Sequence, residues 1–177
     1  MTGPPARDVR DGRTGIRFHL PQGWTLARRD GEVSTFALDA RSAPRTAQLR
    51  AVASINYNPF PQTNFGGAFF YASVVPRLDA DGCARQASAM GSHPTTTRSV
   101  AGVVFTRGYD EHGGICIESR DDVYTAMHGN ACYRFDLVIN NFCGGDVSGT
   151  PEMSASQLEK VRQRLEEILD TVQLDPR

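Results

Sequence analysis

The stretch from Ile115 to Cys143 (ICIESRDDVYTAMHGNACYRFDLVINNFC) constrains this chain more than any other. Two runs rich in β-branched and aromatic residues flank His128-Gly129-Asn130, the pattern of a long β-hairpin. The stretch also holds Cys116, Cys132 and Cys143; the remaining cysteine is Cys83. A two-residue Gly129-Asn130 loop sets Cys116 opposite Cys143 and Asp122 opposite Leu137. A three-residue loop sets Val123 opposite Phe135 and Thr125 opposite Tyr133, on one apolar face. A one-residue slip turns every side chain over, so cysteine pairing and apolar pattern favour different registers. A β-bulge near Asn140-Asn141 is the expected reconciliation.

The cysteines form no C-x-x-C, so zinc-ribbon and thioredoxin readings lack their signature. An even count without metal spacing points to disulfides in an oxidising compartment. The alternative is four buried thiols in a cytosolic protein, since cysteine packs as a small hydrophobe. Three connectivities exist for four cysteines. Hairpin geometry favours Cys116 with Cys143, which leaves Cys132 for Cys83 on a helix against the sheet.

Size and charge limit the function classes. A chain of 177 residues with 40% apolar and 22% charged residues is long enough for one domain with a sizeable core. A net charge of −1 gives no general attraction to nucleic acid or anionic lipid. Lys160 is the only lysine; a genomic bias toward arginine is the simplest account. No run approaches the length of about 20 apolar residues that a membrane helix needs. The start, MTGPPARDVRDG, has no signal-peptide h-region. With disulfides expected, this implies a mature domain whose export signal has been removed.

Taken in order, residues 1–13 are rich in Gly, Pro and charge, and a flexible tail is expected; residues 14–175 form the domain. Gly15–Leu20 alternates as a half-buried strand, Pro21-Gln22-Gly23 turns, and Trp24–Ala27 and Val33–Leu38 read as short strands. Gln48–Tyr57 alternates again. Asn58–Gly67 (NPFPQTNFGG) reads as a loop, followed by a buried strand over Phe69–Val75. Asp79–Met90 reads as a short helix capped by Asp79, with Cys83, Ala87 and Met90 on one face and Gly91 as its stop. Val100–Arg107 is a strand with a bend at Ala101-Gly102, and Asp110–Gly114 a polar loop. Ser154 with Gln157 forms a capping box. It opens a helix whose Leu158, Val161, Leu165, Ile168, Leu169 and Val172 make one apolar stripe.

Two ends of the chain carry a family resemblance. GIRFHLPQGW, with Gly15, Phe18, Leu20, Pro21, Gly23 and Trp24, resembles the opening strand and turn of PsbP-like domains. The closing helix, running into Ile168-Leu169-Asp170-Thr171-Val172-Gln173-Leu174, is similar to that family's last helix and strand. The resemblance implies an α+β fold with a central antiparallel sheet flanked by helices, a PsbP-like α/β/α sandwich. The family is one of accessory and binding modules, among them a lumenal photosystem II subunit and a cytosolic partner of a small GTPase. It brings no catalytic residues, and a shared scaffold names no partner.

The sequence carries few signatures of catalytic or metal chemistry. There is no G-x-S-x-G; Gly145-Asp146-Val147-Ser148-Gly149 is ordinary loop composition. The histidines, His19, His93, His112 and His128, form no H-x-x-x-H. A site of Asp110, Glu111 and His112 with Cys116 is conceivable, but a disulfide-bonded Cys116 cannot ligate. Asp79-Ala80-Asp81-Gly82 begins like a calcium loop and lacks its closing glutamate. Asp121 and Asp122 point to opposite faces of a strand, with solvation as the default. The aromatic segment remains: Tyr57, Phe60, Phe65, Phe69 and Phe70 are the candidate binding residues, the alternative being that the loop lids the core.

The reading is therefore a bacterial, periplasmic or secreted, non-catalytic binding or accessory module. Its four cysteines form disulfides, it has no cofactor and no metal, and its partner is an unknown protein or small molecule, not nucleic acid. The alternatives are an enzyme with a site near Asp110–His112 and a cytosolic interaction domain.

Overall fold

The structure, a computed structural model, describes residues 3–89, 93–145 and 147–176. Met90 and Gly91, expected on the second helix's face and at its stop, lie outside the described residues, as does Asp146. Arg7–Asp11 (β1), Ile16–Leu20 (β2) and Gln173–Leu174 (β10) form a three-stranded sheet in the order β1-β2-β10. Trp24–Ala27 (β3), Gln48–Ile55 (β4), Phe65–Pro76 (β5), Thr96–Val100 (β6), Val103–Gly114 (β7), Ile117–His128 (β8) and Ala131–Phe142 (β9) form the large sheet. Its order is β3-β4-β5-β9-β8-β7-β6, every neighbouring pair antiparallel. The helices are Phe36–Asp39 (α1), Ala80–Ser88 (α2) and Ala155–Asp170 (α3). The fold is α+β, with α3 on one face of the large sheet and α1 and α2 on the other.

The β8–β9 hairpin settles the register. Pairing runs unbroken from Ile117 opposite Phe142 to His128 opposite Ala131, which is the two-residue loop. The expected bulge in this hairpin is absent. The irregularity opposite Asn140-Asn141 belongs to β5, between Phe65 and Gly67. A Cβ on the intervening Gly66 would lie 2.9 Å from the Asn140 carbonyl. The hairpin needs no single apolar face because the sheet is covered on both sides. Toward α3 it presents Tyr124, Tyr133, Phe135 and Leu137, packed with Phe70, Phe105, Val161, Leu165, Ile168 and Leu169. Toward α1 and α2 it presents Asp121, Val123, Thr125, Arg134, Asp136 and Val138, all buried.

Other expectations are corrected by tertiary partners. Residues 7–11 are not a loose tail: Arg7 pairs with Leu20 and Asp11 with Ile16. Val9 is buried, and Asp11 takes both guanidinium donors of Arg50 at 2.8 Å. That hydrogen bonding holds the Asp11 carboxyl down at about 2. Val33–Leu38 is not a strand; Phe36–Asp39 is one helical turn. The Asp30 carboxylate accepts from the Phe36 N–H at 2.6 Å, and Asp39 is drawn under the turn toward Tyr71. Ala101-Gly102, both left-handed (φ 54° and 76°), make the tight turn joining β6 to β7. Residues 110–114 continue β7, and the chain reverses at Ile115-Cys116 instead.

The helices are capped as the sequence indicates. Asp79 accepts from the Gly82 N–H at 2.7 Å, and Ser154 with Gln157 makes a reciprocal capping box on α3. Helix α2 seats on β7 at Gly108, where a Cβ would come within 1.6 Å of the Ala87 carbonyl oxygen. The structure pairs Cys83 of α2 with Cys132 of β9, and Cys116 with Cys143 across the open end of the hairpin. In the chain-entropy account each bridge contributes about 3–4 kcal/mol.

Candidate functional site

The two faces of the large sheet present two polar arrangements. On the α1/α2 face lies a buried charged cluster. Strand alternation puts Arg134 and Asp136 of β9 on this face with Asp121 of β8. Arg134 is fully buried. Its Nε and Nη2 donate to the two Asp136 oxygens at 2.8 Å, and its Nη1 donates to Gln86 of α2 at 3.0 Å. Asp121 lies 3.7 Å from the guanidinium and has one oxygen without a partner among the described residues. Burial, and then the neighbouring Asp136 carboxylate, push the Asp121 carboxyl well above the usual carboxylate range. One guanidinium facing two carboxyls is neutral when the pair holds one proton.

The same face continues toward α1. Asp39 accepts from the Tyr71 hydroxyl at 2.5 Å, Ser34 at 2.8 Å, Ser119 at 3.1 Å and Asn140 at 3.2 Å. Asp110 takes both donors of Arg41 at 2.8 Å. His112 has one ring nitrogen 3.1 Å from Asp110 and the other 2.8 Å from the Leu38 carbonyl. The Asp110–His112 group thus staples the α1 segment to β7, with both imidazole nitrogens occupied by the protein's own acceptors. Cys116 is in its disulfide, and Glu111 projects to the opposite face of β7, where it accepts from Tyr109.

The second arrangement is an open cleft of about 420 Å³ where α3 leaves the β7–β8 end of the sheet uncovered. Alternate residues of β7 bring in Arg107, Tyr109 and Glu111; β8 brings Arg120 and Asp122; β9 brings Ile139. One stripe of α3 adds Ala155, Leu158, Glu159 and Arg162, and His93 sits edge-on to Tyr109 with ring centroids 5.2 Å apart. Arg107 is ion-paired with Asp122, and its guanidinium also lies 5.9 Å from the Tyr109 ring centre. Burial pushes Asp122 above its ordinary range, against the opposing pull of Arg107. Asp121 and Asp122 are therefore both buried, on opposite faces, and neither is the solvated acid that composition suggests.

The aromatic segment divides. Phe65, Phe69 and Phe70 are 4%, 8% and 0% exposed. Phe70 stacks on Phe135 and tilts on Phe18, while Phe69 packs beside Tyr71. These three are core side chains and cannot meet a partner in the folded state. Only Tyr57 and Phe60 are part-exposed, and both rest against the same core. Arg164 of α3 donates to the Tyr57 hydroxyl at 3.1 Å. Among the described residues no cluster of His, Cys, Asp and Glu could hold a metal ion, and no helix is long and apolar enough to cross a membrane.

No protein-family model and no curated protein sequence matches this chain. Solved structures match its fold. The cyanobacterial PsbP (CyanoP) of Synechocystis sp. PCC 6803 superposes with TM-score 0.53 at 11% identity, over 99% of this chain and 95% of that one. A Bacteroides thetaiotaomicron structure superposes with TM-score 0.50 at 12% identity over 98% of this chain, which spans only 49% of that protein. LpqN of Mycobacterium tuberculosis, described as involved in cell envelope biogenesis, gives TM-score 0.49 at 9% identity over 97% of this chain and 91% of its own. At such identities the likeness is one of fold, and that fold is PsbP-like.

Proposed function

We propose that this protein is an extracytoplasmic binding or accessory module, periplasmic or secreted, in which residues 7–175, the paired β1 included, act as one domain of the PsbP family. The observation that carries the reading is the pair of disulfides, Cys83–Cys132 and Cys116–Cys143. The first joins α2 to β9 and the second closes the β8–β9 hairpin, and such bridges persist in oxidising compartments and are rare in reducing ones. The PsbP-like fold is consistent with accessory work. The surface favours binding over turnover: the Asp110–His112 group is occupied in holding α1 to β7. The cleft beside α3, by contrast, offers mixed polar and apolar lining. Tyr57 and Phe60 provide a second contact area for a protein partner, next to Arg164.

Cell fractionation of the source organism tests the compartment. Recovery of the protein with the extracytoplasmic fraction supports the reading. Recovery in the cytosol with reduced thiols overturns it in favour of an intracellular interaction domain.

A further inference from the structure

The cleft between α3 and the β7–β8 pair has a divided chemistry. Ile139 and Leu158 form an apolar floor, and guanidiniums enter from three elements: Arg107 from β7, Arg120 from β8 and Arg162 from α3. These three are not equivalent. Arg107 is committed to the buried carboxylate of Asp122. Arg162 donates to Glu159 at 2.6 and 2.9 Å and lies 3.4 Å from Glu166. Arg120 is oriented by a 3.0 Å hydrogen bond from Nη1 to Asn141, but its carboxylate contacts are long, 3.6 Å to Glu111 and 3.5 Å to Glu118.

Those two acids are 58% and 64% exposed, against 24% for Arg120. Exposed, long pairs of this kind are weak, so an incoming anion displaces them at little cost. It gains a short, charge-assisted, bidentate contact with a guanidinium already held in place. Arg120 and Ile139 are direct cross-strand partners on the same face. The anion grip and the apolar floor therefore adjoin. The volume falls in the range of about 300–1,000 Å³ usual for small-molecule sites.

We propose that this cleft binds a small amphipathic monoanion, a carboxylate or sulfonate whose acid group sits on Arg120 and whose apolar body lies on Ile139 and Leu158. The assignment rests on the binding-module reading and gives it a site. The test uses the oxidised full chain and two fluorescent probes of matched shape. One is 8-anilinonaphthalene-1-sulfonate; the other is N-phenyl-1-naphthylamine, which lacks the sulfonate. The expected result is saturable binding of the sulfonate at one site per chain. Arg120→Met weakens it about tenfold or more, as loss of a charge-assisted hydrogen bond implies, and leaves the neutral probe unchanged. Leu158→Asp weakens both. Should Leu158→Asp unfold, Ala155→Asp at the exposed start of α3 makes the same test. Far-ultraviolet circular dichroism establishes that each variant is native. Absence of saturable binding, or sulfonate binding unaltered by Arg120→Met, overturns the proposal. Equal affinity for the neutral probe also overturns it, while leaving the binding-module reading in place.

Discussion

At the scale of single residues, the cluster around Arg134 makes one contribution to the pH dependence of stability whose sign can be worked out. Arg134 is bound by Asp136 and Gln86 with Asp121 close by, all buried. Arg134→Met leaves two buried carboxyls without their cation, and breaking a buried pair from one side costs about 3–5 kcal/mol. Urea unfolding at neutral pH measures this. Asp121 behaves oppositely. Its carboxyl is raised in the folded state, so the folded chain binds its proton more tightly than the unfolded chain does. The associated stability is fully present below the ordinary aspartate range of about 3.9 and is lost as pH rises through the folded value. Asp121→Asn keeps the shape of the protonated acid and cannot ionise. The variant is expected to match or exceed the parent's stability at alkaline pH and to show a flatter pH dependence. A larger alkaline loss in the variant would contradict this. Arg134 and Asp136 lie two apart on one strand face, and nothing local in the sequence singled them out as a buried pair. The sequence already set the Cys83 helix against the sheet through Cys132; what it did not disclose is that the helix would bury charged side chains there, because burial of that face follows from long-range packing and not from a local signal.

At the scale of elements, legibility follows how local the determinant is. Strands β2, β3 and β4 and helix α3 carry their own periodicity and caps, and the structure has them within a residue or two. The misread pieces depend on distant partners. β1 needs the edge of β2 and the Arg50 clamp on Asp11; α1 needs Tyr71, Ser119 and Asn140 to receive Asp39. The hairpin register was undecided because an apolar pattern arbitrates only when one face is wet, and this sheet is covered on both. The α2–β7 contact yields a sharp prediction. Gly108 is where the α2 carbonyl of Ala87 approaches the strand. Gly108→Ala forces the helix outward and is expected to cost about 1–3 kcal/mol, the range of overpacking, seen as a lowered denaturant midpoint. Gly114→Ala, with open space around its Cβ position, serves as the control and is expected to be nearly neutral.

At the scale of the whole molecule, one bridge ties two layers of an α/β/α sandwich together by fixing α2 to the central strand β9, and the other, within the sheet, closes the open end of the β8–β9 hairpin. The fold was legible from the opening strand, the P-x-G-W turn and the closing helix, which together imply a PsbP-like arrangement. The proposed binding cleft was not. Its residues come from β7, β8, β9 and α3, and only the paired register brings Arg120 onto Ile139. Aromatic content pointed instead to Phe65, Phe69 and Phe70, which the register of β5 against β9 buries. The account as a whole stands on the cysteines being oxidised in the native protein. The most direct measurement is to denature the protein isolated from its source without reductant, alkylate it, and read the intact mass. The account predicts that none of the four cysteines is alkylated, and that all four are after reduction. Alkylation of all four without reductant would contradict it.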